Sequence, residues 1–263
     1  MKTLLTAAIC FWTLIGTAHS APAAEMAMAR VEGGIYTPFY PPSPKEKEIP
    51  IKTFWMDKYL VTNSQFLDFV KKSPKWRRDK IKKIYTDKAY LEKWRSAEIL
   101  GENLNPLQPV TQVNWFAAKA YCESLGKRLP TENEWEYAAA ASEKEPNARS
   151  DMEWRNRIMD WYTRSADKIL PQIGKGQPNF WGLYDLHALV WEWVDDFNSS
   201  LISSDNRENA QSPDKSRFCG AGALVATEKD DYASFMRIAF RTSLKASYAT
   251  SNLGFRCAAD EEK

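Results

Sequence analysis

Few side chains in this sequence can carry covalent or metal chemistry. The cysteines are Cys10, Cys122, Cys219 and Cys257, and the histidines are His19 and His187. A non-haem iron site wants several histidines, or two with a carboxylate, and Cu(I) wants soft thiolates. Beyond residue 24 the chain has one histidine, His187, so a single chain cannot assemble the iron set. His187 reads as a packed, hydrogen-bonded residue rather than a ligand. No cofactor and no metal are expected. Carboxylates remain: Glu192, Asp195 and Asp196 cluster around Trp191-Glu192-Trp193. Paired carboxyls in unlike surroundings can divide the roles of acid and base. In a strand, however, Asp195 and Asp196 would point to opposite faces. One of Trp191 and Trp193 is expected in the core and the other beside a groove.

A second group of residues could make a surface rather than a reaction. Segment 71–95 holds eleven Lys or Arg against three acidic residues, with Trp76, Tyr85, Tyr90 and Trp94 interleaved. Such a pattern fits a surface for an acidic partner or a nucleic acid. It also fits a solvated helical insertion whose aromatics anchor it to the core, and this second reading is preferred. The whole chain of 263 residues carries a formal charge of only +2, so global charge points to no polyanion.

The elements that must position these residues begin after a leader. Residues 1–24 read as a signal peptide: Lys2 is the positive start, 4–15 the apolar run, and Ala18, Ser20 and Ala21 to Ala24 offer cleavage sites. The run is too short for a spanning helix, so no stable membrane span is expected once it is removed. Cys10 lies inside it. The protein is therefore expected outside the cytoplasm, secreted or periplasmic, and there it would not meet nucleic acid. About 240 residues remain, enough for one large core. Residues 21–30 read as a disordered lead, 31–36 and 51–61 as strands, and the proline-rich 38–50 as a loop. Thr62 with Gln65, and Thr131 with Glu134, have the spacing of capping boxes that open helices. Phe66, Phe69 and Val70 face inward from the first. A middle helix over 114–125 places Trp115, Ala118, Cys122 and Leu125 on one face, and Gly126 stops it. Trp135, Ala138 and Ala139 point inward from the third helix. Past residue 165 periodicity fades into short strands and long loops.

Several segments taken in order identify a family. They are Trp55-Met56-Asp57-Lys58-Tyr59-Leu60-Val61-Thr62-Asn63, Pro109-Val110-Thr111-Gln112-Val113-Asn114-Trp115, and the run 120–136 containing Gly126-Lys127-Arg128-Leu129-Pro130-Thr131-Glu132. Gly182-Leu183-Tyr184-Asp185-Leu186-His187, Trp191-Glu192-Trp193 and Asn252-Leu253-Gly254-Phe255-Arg256-Cys257 follow. Over 31–260 the chain resembles the formylglycine-generating enzyme, or sulfatase-modifying factor, family. The resemblance implies an irregular α+β fold related to C-type lectins and low in regular structure. It also implies two cysteines that bind copper and oxidise a substrate cysteine. Their positions fall here on Ala233 and Glu228, or on Val225 if Gly220-Ala221-Gly222 marks the turn before them. Neither is cysteine. The family's calcium corner falls on Ala188 and Leu189, without side-chain oxygens, and a hydrophobic replacement of the ion is expected. Cys122 and Cys257 match a family disulfide. A second one falls on Ala139 and Ile238, both apolar here, and Cys219 is left over. Arg128 and Glu134 should join a charged network. Segments 75–78 and 87–94 look like a subgroup associated with bacterial copper nitrite reductase gene clusters.

Three functions are compatible with these residues. The first is an exported, non-catalytic accessory or maturation factor that binds a protein partner, with Trp76, Trp94 and the basic segment as its surface. The second is a periplasmic maturation enzyme of different chemistry using Glu192, Asp195 and Asp196. The third is a lectin-like binder of carbohydrate or another small ligand through exposed tryptophans.

Overall fold

The computed structural model describes residues 27–41, 45, 47–163, 169–198 and 232–261. The signal-peptide reading, Cys219, Glu228 and Val225 lie outside these residues.

Strand β1 (Met28–Val31) pairs antiparallel with β4 (Phe54–Asp57), which pairs on its other edge with β7 (Ala258–Asp260). Alternation drives this sheet. Ala29 and Val31 of β1 and Phe54 and Met56 of β4 are buried, whereas Arg30 is exposed and Trp55 half-buried. Residues 28–30 thus belong to the sheet, not to a disordered lead. A hairpin of β2 (Gly34–Tyr36) and β3 (Ile49–Ile51) lies beside it. The parallel pair β5 (Trp191–Glu192) and β6 (Leu253–Gly254) is two residues long on each side. Only glycine fits at 254, since a Cβ there would sit 2.9 Å from the Val110 carbonyl oxygen.

Helix α1 (Asn63–Lys72) opens on the Thr62/Gln65 capping box, and α3 (Glu132–Ala139) on the Thr131/Glu134 box. Between them, α2 (Trp115–Glu123) is capped by the Asn114 side chain, and Gly126 turns the chain away at φ 69°. Leu125 lies beyond this helix and is exposed. Phe66, Phe69, Tyr121 and Phe255 pack ring against ring with centroids 5.4–6.0 Å apart. The Cys122–Cys257 disulfide joins α2 to the residue preceding β7, across a sequence separation of 135.

Three further sequence expectations change. Segment 71–95 is not helical beyond Lys72, where the Ser73 N–H closes the last turn on the Phe69 carbonyl. It continues as two 3-10 turns, Pro74–Trp76 and Lys83–Tyr85. Helix α4 (Met152–Thr163) was not foreseen. Nor was α5 (Tyr232–Thr242), in a region expected to be loops and short strands. The fold is α+β.

Candidate functional site

Ala233 sits in the first turn of α5 and packs against a small apolar cluster of Ala148, Trp154 and Ile158, the last two from α4. The same helix is anchored by charge. Arg237 and Arg241, one turn apart, both reach Glu136 on α3. Arg237 donates from Nη2 at 2.6 Å and from Nε at 2.8 Å, and Arg241 from Nη1 at 2.7 Å. Arg237 also meets the Tyr162 and Ser234 hydroxyls, and Arg241 lies 4.5 Å over the Trp135 ring. Burial opposes the charge of Glu136, but Arg237 and Arg241 outweigh it and hold the carboxyl down at about 2. Glu132, one turn earlier, is pushed the other way. Burial raises it to about 7, Glu136 and Asp196 add to the rise, and Arg241 pulls against it.

The carboxylates proposed for acid–base work are placed differently from that expectation. Glu192 is fully buried on β5, where Arg256 donates to it from Nε at 2.8 Å and from Nη2 at 2.9 Å, and the Trp135 indole N–H at 3.0 Å. Arg256 also donates to the carbonyls of Asp57, Lys58 and Tyr184. Glu192 is therefore the counter-charge of a buried arginine, not an accessible base. Asp195 pairs with Lys119 at the surface, and Asp196 accepts the Glu132 N–H at 2.6 Å, at the start of α3. These two lie in a turn, not on a strand, and each of the three carboxylates is taken up by a different partner: Arg256, Lys119 and the Glu132 N–H.

The tryptophans divide likewise. Trp193 is wholly buried, its N–H bonded to the Val113 carbonyl, and Trp94 is also core. Trp191 is half-buried and stacks on Tyr162 at 5.1 Å and on Phe240 at 4.8 Å. Its ring faces are thus engaged by protein. Trp76 remains half-exposed near Tyr85, and the Tyr90 hydroxyl donates to its carbonyl. Arg128 and Glu134 form a doubly bonded pair at 2.7 Å, extended by Asp260.

A cavity of ≈ 210 Å³ opens between α4 and segment 176–188, lined by Trp154, Ile158, Leu183, Asp185, Leu186 and His187 among others. The His187 Nε2 lies 2.6 Å from the Ala139 carbonyl, which must accept its proton. Burial and then the charge of Arg237 push this imidazole down to about 3, so it is neutral. The sequence reading missed the Glu136, Arg237 and Tyr162 cluster. Its available signal was the i, i+4 spacing of Arg237 and Arg241 after Ser234.

The model of the sulfatase-modifying factor enzyme 1-like domain matches residues 16–261. The chain belongs to this family. It is 27% identical over 265 residues to the formylglycine-generating enzyme of Bos taurus, covering 81% of this chain and 67% of that protein. It is 28% identical over 254 residues to the inactive C-alpha-formylglycine-generating enzyme 2 of Bos taurus, covering 81% of this chain and 79% of that protein. The crystal structure of CarF superimposes with a TM-score of 0.51 at 16% identity, over 90% of this chain and 99% of that one, a likeness of fold.

Family membership poses a fit test at two places. Ala233, where the family resemblance places one copper cysteine, offers only a methyl group, and the small pocket it shares with Trp154, Ile158, Arg149, Arg155 and Arg237 brings no thiolate, so these residues do not fit the metal. At the calcium corner, Ala188 and Leu189 bring no side-chain oxygen, Leu189 adopts φ 65°, and the nearby Glu192 is claimed by Arg256. This does not fit a cation that needs six to eight oxygens. Among the described residues no helix is long and apolar enough to cross a membrane.

Proposed function

We propose that this chain is a non-catalytic member of the sulfatase-modifying factor family, an exported accessory or maturation factor that binds a partner protein. Ala233 carries the reading: it stands where the family resemblance places a copper-binding cysteine, and its methyl group packs on Ala148, Trp154 and Ile158. Around that loss the frame is intact. The disulfide, the Glu192–Arg256 pair and both capping boxes bind the segments that define the family. A frame kept with its reactive atoms replaced suits recognition better than turnover, and a bovine relative named as inactive lies at similar identity. The disulfide supports export, since such bonds persist in oxidising compartments. The acid–base and sugar-binding readings lose their residues to the core, to ion pairs and to ring stacking.

Anaerobic titration with Cu(I) against a chromophoric chelator tests this reading. The chelator is expected to keep the metal. Transfer of one Cu(I) per chain into a sulfur-ligated site would overturn the reading.

A further inference from the structure

Charge in this chain is segregated. Segment 71–95 carries eleven cations and three acids, +8, while the whole chain is +2, which leaves −6 for everything else. The three acids of the segment are committed to structure. Asp79 pairs with Arg77, Asp87 accepts the Ala89 and Ala249 N–H groups, and Glu92 accepts from Gln112. Among the described residues most of the cations have no carboxylate partner. Arg77 is paired with Asp79 and Glu98, and Arg78 is pinned to the carbonyls of Leu91, Glu92 and Trp94. Among the described residues no carboxylate lies within ion-pair distance of Lys71, Lys82, Lys83 or Arg95.

Two of these charges, Lys71 and Arg95, line a concave feature. An open groove of ≈ 810 Å³ is lined by Lys71, Arg77, Arg78, Arg95, Ser96 and Ile99, with Asp79 and Glu98 tied to Arg77. Lys71 and Arg95 are exposed, and Ile99 is 53% exposed, so the groove offers cationic walls and one apolar contact. The segment is rigidly backed, because Tyr90, Leu91 and Trp94 are core and Arg78 ties the chain around them.

We propose that this groove binds an extended, Asp/Glu-rich polypeptide segment carrying an aliphatic residue, and that this segment belongs to the partner. The proposal rests on the accessory-factor reading above. Four cations against two acids, both acids tied to Arg77, leave the recess net positive, which draws an acidic chain toward it and raises its encounter rate. The recess favours a chain over a bilayer, which meets convex surfaces. Single-stranded nucleic acid binds by stacking bases on aromatic rings. Here Tyr90 and Trp94 are buried, and no aromatic ring lines the groove.

The test uses the full mature chain and a fluorescein-labelled Asp/Glu-rich peptide containing one Leu, with anisotropy read at rising NaCl. Binding is expected to weaken with salt. Lys71→Glu with Arg95→Glu should weaken it on the order of tenfold or more, about 1.4 kcal/mol. Lys144→Glu with Lys175→Glu makes the same change in net charge on exposed residues outside the groove, and should leave it within about twofold. Circular dichroism of both variants checks folding. The groove assignment is overturned by no peptide binding at low salt, or by equal loss in both variants. It is also overturned by a single-stranded oligonucleotide or phosphatidylglycerol vesicles binding more tightly than the peptide. Because this assay reads no turnover and no metal, its failure removes the groove and leaves the copper titration to judge the accessory reading.

Discussion

Two buried carboxylates, Glu192 and Glu136, are both neutralised by arginine, yet they hold different parts of the molecule. Glu192 and Arg256 are 0% exposed and tie β5 to the segment between β6 and β7, next to the disulfide. Glu136 joins α3 to α5, whose first turn carries Ala233. The first pair lies within the continuous aromatic core. The second lies beside the small satellite cluster of Trp154 and Ile158. A buried ion pair is weak evidence for net stability, but removal of one partner strands a charge. Cutting each pair should therefore cause damage whose extent reflects what surrounds it.

Glu192→Ala should do the most harm. It strands Arg256 in the core, at a cost of about 3–5 kcal/mol. Urea unfolding should show a loss in that range or no folded protein; an unchanged midpoint would remove the distinction between the regions. Reduction of Cys122–Cys257 comes next. The loop of 135 residues favours a loss of about 2–5 kcal/mol, read as a fall in the thermal midpoint with m-values compared in the same buffer. Glu136→Gln should cost about 3 kcal/mol, but locally. Hydrogen exchange should quicken over α5 and stay slow over β4. Equal acceleration in both would make the two clusters one unit.

The pH dependence sharpens the contrast. The folded state holds His187 neutral, with its pKa near 3 rather than 6.5. Between those values the unfolded chain binds the extra proton, so this group's contribution falls as pH drops from about 6.5 to about 3. His187→Gln should shrink the stability difference between pH 7 and pH 4 by about 1–3 kcal/mol. The wild-type ring signals should not titrate above about pH 4. Glu132 has the opposite sign. Its raised pKa of about 7 makes its contribution fall as pH rises from about 4.5 to 7. The smallest effect expected is Thr131→Ala. It removes the side-chain acceptor of the α3 capping box, for about 1 kcal/mol in thermal unfolding.

The sequence made local helix starts legible and the buried charged faces not. Capping boxes are local, so Thr62/Gln65 and Thr131/Glu134 are readable from spacing alone. Phe66, Phe69 and Val70 also follow from helical period. Helix α5 escaped because its buried face is Ser234, Arg237, Ile238 and Arg241, mostly polar residues that read as exposed. Helix α4 buries only Trp154 and Ile158, too sparse a stripe to mark its face. In segment 71–95, lysines and aromatics suggested a helix. There Pro74 at the next turn and the carbonyls gathered by Arg78 set an irregular path instead. At the candidate site, the alanine at 233, where the family resemblance places a cysteine, stands in the sequence itself. That Glu192 serves as the partner of Arg256 was not, because the two are 64 residues apart.

The central claim, that a family frame survives here without the family's oxidation chemistry, is tested most directly by mass spectrometry. A sulfatase-type cysteine peptide would be incubated with the purified chain, copper and oxygen. The account predicts unmodified peptide at every time point, with the bovine formylglycine-generating enzyme as positive control. Formylglycine that accumulates in proportion to this chain's concentration would contradict it.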